Sequence, residues 1–153
     1  MSTHNHSTSR GFSLVELLIV CAVIGLIVTI AIPNLVNAIQ RGRQARTVGD
    51  IRALSTAVGM YQQDYSKFPL ASSWTELGDF EEIIQAYMGS FNRDDGWRRP
   101  FMYQSDGDNY TLVSYGMNGI PDLPWAPGKT HYFDEDIVVE GGAFVQIPEG
   151  VQQ

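Results

Sequence analysis

The sequence predicts an α+β protein: a long N-terminal α-helix, membrane-spanning in its first half, packed through its second half on a small antiparallel β-sheet. Three observations predict it. Gly11 to Ile32, GFSLVELLIVCAVIGLIVTIAI, is one apolar run broken by a single charge, Glu16. Val48, Ile51, Leu54, Val58, Tyr61 and Tyr65 then step by three or four, the spacing of one helix face. The last third is rich in turns and holds short β-branched and aromatic runs.

Composition narrows the class. With 153 residues and one run given to a membrane, the remainder suits a single small domain. A formal charge of −7 argues against bulk nucleic-acid binding. An aromatic content of 11% argues against disorder. Cys21 is the only cysteine, so no intramolecular disulfide can staple the domain.

Residues 1–10, MSTHNHSTSR, are polar and are expected to be disordered, with His4 and His6 incidental. At ~1.5 Å per residue the run that follows spans the ~30 Å hydrocarbon core of a bilayer as a helix. It has no polar face. Glu16 inside it costs roughly 2.5–3.5 kcal/mol on insertion scales, so it calls for a partner from another molecule or from a new chain terminus. Gly25 lowers helix propensity, and Pro33 lacks an N–H and crowds the carbonyl of Thr29. The helix then resumes as an amphipathic segment. Arg43, Arg46, Asp50, Arg52 and Gln62 fall mostly off its apolar face, and Lys67-Phe68-Pro69 ends it.

Ser73-Trp74-Thr75-Glu76 reads as a capping box, and Asp79 to Glu82 as a second N-cap signal. One or two short helices are expected between Ser73 and Met88, stopped by Gly89, with Ile83, Ile84 and Tyr87 facing the long helix. Residues 101–104 and 110–114 flank Asp106-Gly107, a hairpin signal; residues 137–139 and 143–147 flank Gly141-Gly142, another. No catalytic constellation is evident. Ser114 has no base, His131 stands alone, and no phosphate-binding glycine loop occurs, so the chain is not expected to be an enzyme.

Several of these stretches resemble one family. Arg10-Gly11-Phe12-Ser13-Leu14-Val15-Glu16-Leu17-Leu18-Ile19-Val20 resembles the processing signal of type IV pilins and type II secretion pseudopilins. The segment YQQDYSKFP resembles the end of that family's long helix. Asp95-Gly96-Trp97-Arg98-Arg99-Pro100-Phe101 resembles the D-x-W-G-x-P-Y stretch of the major pseudopilins, with Arg98 in place of Gly. Leu112 to Gly119, LVSYGMNG, resembles their L-x-S-x-G-x-D-G, and Asp134-Glu135-Asp136-Ile137 resembles their closing D-D-I. The likeness covers most of the chain apart from 120–133 and the tail after Val139.

The resemblance implies a set of roles. A prepilin peptidase and methyltransferase cuts after Gly11 and N-methylates Phe12. Residues 1–11 are then a leader, 12–33 a transmembrane and assembly helix, and 34–153 a periplasmic domain. Glu16 pairs with the new amino terminus of a neighbouring subunit, while Gly25 and Pro33 let the helix unwind in a fibre. The Val113 carbonyl with the side chains of Asn118, Glu135 and Asp136 corresponds to a calcium site, with Asn118 and Glu135 standing where the family has Asp. Calcium takes six to eight oxygen ligands. The implied function is a structural subunit of a homo-oligomeric helical filament. It rises from the inner membrane and drives protein secretion, alongside other pseudopilins and an inner-membrane platform. A type IV pilin of a surface filament is the alternative, and a single-pass calcium module that never polymerises is another. One sequence rule opposes the implied topology. Arg41, Arg43 and Arg46 follow the run and Arg10 precedes it, so positive-inside counting puts the C-terminal side in the cytoplasm.

Overall fold

A computed structural model of the chain describes residues 11–149. The leader 1–10 and its His4 and His6 lie outside the described residues. The chain divides after Val36 into two units. Helix α1 (Leu14–Tyr65) contributes to both.

In the first unit every described residue is exposed, including Phe12, Leu14, Leu18, Ile24 and Ile30. Nothing in the unit can bury them, because one helix has no second surface to pack on. The helical backbone is satisfied locally. Leu17 N–H donates to Ser13 O at 3.2 Å, and Thr29 Oγ1 donates to Gly25 O at 2.8 Å. Pro33 sits inside the helix, and Asn34 Nδ2 reaches Ile30 O at 3.5 Å on the turn that Pro33 disturbs. Of the chain's described helices, this one alone is long and apolar enough to cross a membrane.

The second unit packs residues 44–58 of α1 against a sheet. Among the described residues that sheet has six strands: β1 (Ala71–Glu76), β2 (Met102–Ser105), β3 (Tyr110–Ser114), β4 (Gly128–Thr130), β5 (Ile137–Glu140) and β6 (Ala143–Pro148). Their order is β1-β2-β3-β5-β6-β4. Ile51, Leu54, Ala57 and Val58 of α1 join Phe101, Tyr103, Leu112, Ile137 and Val139 in the core. A short helix, α2 (Glu81–Met88), adds Ile84 to that core and ends at Gly89, where φ is +74°.

Four expectations need correction. The sheet is mixed, because β4 pairs with β6 in parallel while every other pair is antiparallel. The stretch 120–133, which carries no strand pattern, supplies β4. Second, Ser73 to Glu76 lies in β1 and caps no helix. Its backbone pairs with β2, Thr75 opposite Tyr103 and Glu76 opposite Met102. Ladder pairing outweighed a local capping preference. Third, the N-cap of α2 is Phe80, which makes no side-chain cap and ends a 3₁₀ turn (Leu77–Phe80), so Asp79 is not its N-cap. Fourth, Tyr65 is 64% exposed, stacked on Tyr61 at 4.4 Å rather than in the core. Polar residues take core positions instead. Thr47 and Ser55 are buried, and Ser55 Oγ lies 2.7 Å from Tyr110 Oη. Both hairpins form as the turns predict. Gly141 and Gly142 both have positive φ, as a two-residue hairpin loop demands.

Candidate functional site

Two stretches carry the candidate residues. The first is the start of α1. Gly11 precedes the helix, and Phe12 is 77% exposed. Glu16 lies in the first turn, where a carboxylate also favours the positive end of the helix dipole. A Cβ at Gly25 would meet nothing within 4 Å, so its small size serves no contact among the described residues. Gly25 and Pro33 both stand in helical backbone.

The second stretch is the loop from Val113 to Asp136, and the turn before β2 braces it. Asp95 is buried and organises that turn. Its Oδ1 accepts from the backbone N–H of Trp97 at 2.8 Å and of Arg99 at 3.0 Å. Its Oδ2 accepts from Ser114 Oγ at 2.6 Å, tying the turn to the end of β3. The turn also grips α1. Gly96 N–H donates to Thr47 Oγ1 at 2.8 Å, and Trp97 Nε1 donates to Gln40 Oε1 at 2.7 Å. A Cβ at Gly96 would lie 2.3 Å from Arg43 O, so only glycine permits this approach. Arg98, the departure from the family pattern, has φ +65°, the left-handed region in which a glycine carries no steric cost.

Fixed in this way, Arg99 points into the loop. Its Nη2 donates to Met117 O at 2.9 Å, and its guanidinium lies against Gly119, occupying the space a Cβ would need. The loop closes on itself at Gly116, where a Cβ would meet the carbonyls of Asp134 and Glu135, and through Met117 N–H to Phe133 O at 2.8 Å.

Three of the four expected calcium ligands accept protein hydrogen bonds through one side-chain oxygen, and the fourth lies in a strand. Val113 sits in β3, paired with Met102 on one side and Val138 on the other, where the ladder takes up backbone polar groups. Asn118 Oδ1 accepts from Ile120 N–H at 2.8 Å. Glu135 Oε2 accepts from the backbone N–H groups of His131 and, at 2.8 Å, Tyr132. Asp136 Oδ2 accepts from Asp122 N–H at 2.9 Å and from Trp125 Nε1 at 2.6 Å. Burial, with Asp122 nearby, raises the Asp136 carboxyl above its ordinary pKa, although both hydrogen bonds oppose the rise. Asp136 Oδ1 is buried without a partner, a single spare oxygen. Among the described residues no three acidic, His or Cys side chains converge as a metal site. Sequence reasoning missed Arg99 and Trp125, whose roles depend on which loop segments meet.

With this geometry in view, comparison with known proteins decides the family. Residues 34–124 match the profile described as type II secretion system (T2SS), protein G. The chain belongs to this family. Residues 6–32 match the prokaryotic N-terminal methylation motif. The chain is similar to type II secretion system core protein G of Escherichia coli K12, 27% identical over 87% of this chain and 91% of that one. It is 30% identical to core protein G of Klebsiella michiganensis over 76% of this chain and 81% of the relative. Core protein G of Dickeya chrysanthemi is also 30% identical, over 84% of each chain. No solved structure matches the chain at the same level of significance. The match to protein G takes in Asn118 and stops at Pro124, inside the loop and before Glu135 and Asp136. The alternative of a surface pilin is not favoured by these relatives.

Proposed function

We propose that this member of the protein G family is a major-pseudopilin subunit of a fibre that rises from the inner membrane and drives protein secretion. A prepilin peptidase cuts between Gly11 and Phe12, and Phe12 is N-methylated. Residues 12–33 hold the subunit in the membrane and later line the fibre core. The domain from 34 onward stands in the periplasm, with other pseudopilins and an inner-membrane platform as partners. The observation that carries the reading is the exposed, largely apolar surface from Phe12 to Val36, in which Glu16 is the one charge. Such a surface is costly in water at about 25 cal/mol per Å² and suits a bilayer or a bundle of like helices. The positive-inside conflict weighs less because a whole folded domain follows the span, and long domains translocate largely regardless of charge.

Glu16 supports assembly through its cost. A carboxylate held in hydrocarbon favours pairing with the ammonium that cleavage creates on Phe12 of a neighbouring subunit. Gly25 and Pro33 are the points at which α1 can loosen as subunits pack. Intact-mass measurement of membrane-extracted protein tests the processing step. The expected species lacks residues 1–11 and carries one added methyl group. A chain that retains Gly11 contradicts it. Glu16→Gln keeps the shape and removes the charge. It is expected to leave insertion and cleavage intact and to abolish fibre formation; assembly at the unaltered rate would sink the pairing.

A further inference from the structure

We propose that the loop between Val113 and Asp136 is closed by two protein clasps and holds its shape without calcium. One clasp is Arg99, whose guanidinium donates to Met117 O at 2.9 Å and covers Gly119. The other is Asp136, whose Oδ2 gathers Asp122 N–H at 2.9 Å and the Trp125 indole N–H at 2.6 Å.

The argument starts from what a loop of this kind needs. It has no disulfide to close it, since Cys21 lies elsewhere, and a small domain then relies on some other staple. A divalent ion closes a loop by drawing separate carboxylates to one point. Here the carboxylates are drawn to separate points. Glu135 serves the amides of 131 and 132, and Asp136 those of 122 and the 125 side chain. Asn118, which brings no negative charge, lies between the residue Arg99 bonds and the residue it covers. A fixed guanidinium there supplies positive charge by itself and repels a second cation. It also cannot lose its charge at any physiological pH.

The two clasps are linked to the rest of the domain. Asp95 holds the Arg99 backbone and Ser114, so the first clasp is anchored on β3. Trp125 packs edge-on against Trp74 of β1 at 5.5 Å, so the second reaches the other end of the sheet. Asn118 brings no carboxylate and Trp125 brings an indole donor, so the loop carries hydrogen-bond donors of its own.

The test uses the full chain in detergent micelles, melted with calcium at about 5 mM, above the range of weak extracellular sites, and again with a chelator. The expected result is the same Tm in both, within ~1 °C. Arg99→Gln and Trp125→Phe should each lower Tm by the same amount in either medium. A calcium-dependent rise of roughly 5–10 °C, the shift a saturated site gives, overturns the proposal. Terbium luminescence sensitised by the chain's tryptophans provides a measurement that needs no variant. No saturable signal is expected below about 1 mM, and a saturable one that calcium displaces overturns the proposal.

Discussion

The two stretches of α1 share one backbone conformation and differ in almost everything else. From Phe12 to Val36 the side chains are mostly apolar, with Glu16 the one charge, and every residue is exposed. From Gln44 to Val58 one face is buried to 9% exposure or less, and its members include Gln44, Thr47 and Ser55 as well as Ile51 and Leu54. A polar group inside the domain is thus satisfied by specific partners, as Thr47 is by Gly96 N–H. An apolar group in the first stretch has none within the chain. The difference teaches that helix periodicity reports a partner already present, and its loss over 12–36 reports surroundings that are apolar on all sides.

The largest effect is expected from paired truncations. Leu54→Ala removes a 1% exposed core side chain and should cost about 2–5 kcal/mol of domain stability in denaturant unfolding. Leu18→Ala, at a residue 62% exposed, should leave that unfolding unchanged. Equal losses would break the comparison. Asp95→Ala comes next, at roughly 2–3 kcal/mol, because it leaves Ser114 Oγ and two turn amides without their acceptor. The same measurement checks it, and a neutral result would mean that the turn does not brace β3.

Arg98→Gly should stabilise by about 1 kcal/mol, because it relieves a φ of +65°. Thermal melts should then rise by a few degrees, and a fall would show that the Arg98 side chain makes an unrecognised contribution. The smallest effect is on alkaline stability. Burial, the largest cause, pushes the Tyr103 hydroxyl up to about 12 from 10.0. The folded state therefore holds its proton where the unfolded state has lost it, so stability is full below pH 10 and falls as pH rises toward 12. Tyr103→Phe loses the bond to Pro69 O and lowers stability throughout, but it should flatten that alkaline slope. An unchanged slope would assign the titration elsewhere.

The fold was legible where the signal was local and periodic. The Ile51–Leu54–Val58 face, the Gly89 stop and the two glycine hairpins follow from spacing and from φ alone. The strand at 71–76 was not, since its pairing with 102–105 competes with a local capping pattern that reads equally well. Nor was β4, three residues whose only signal is a parallel partner at 146–148. In the candidate loop the acidic residues were legible by type and their use was not. Glu135 turns back on amides three and four residues before it, and Asp136 serves donors at 122 and 125 that sequence spacing does not bring near it. Arg99 reads as one more surface charge until the Asp95 turn aims it at Met117.

The central claim is that the two stretches of α1 are built for different surroundings, and the single cysteine gives a direct probe of it. Cys21 is exposed on the first stretch, and Gln63 is exposed on α1 just beyond the second. In opened membrane vesicles, before assembly, a water-soluble maleimide should leave Cys21 unlabelled. The same reagent should label Gln63→Cys readily in a Cys21→Ser background. After denaturation in detergent both should react. Labelling of Cys21 in intact bilayer at the rate seen for position 63 would contradict the account.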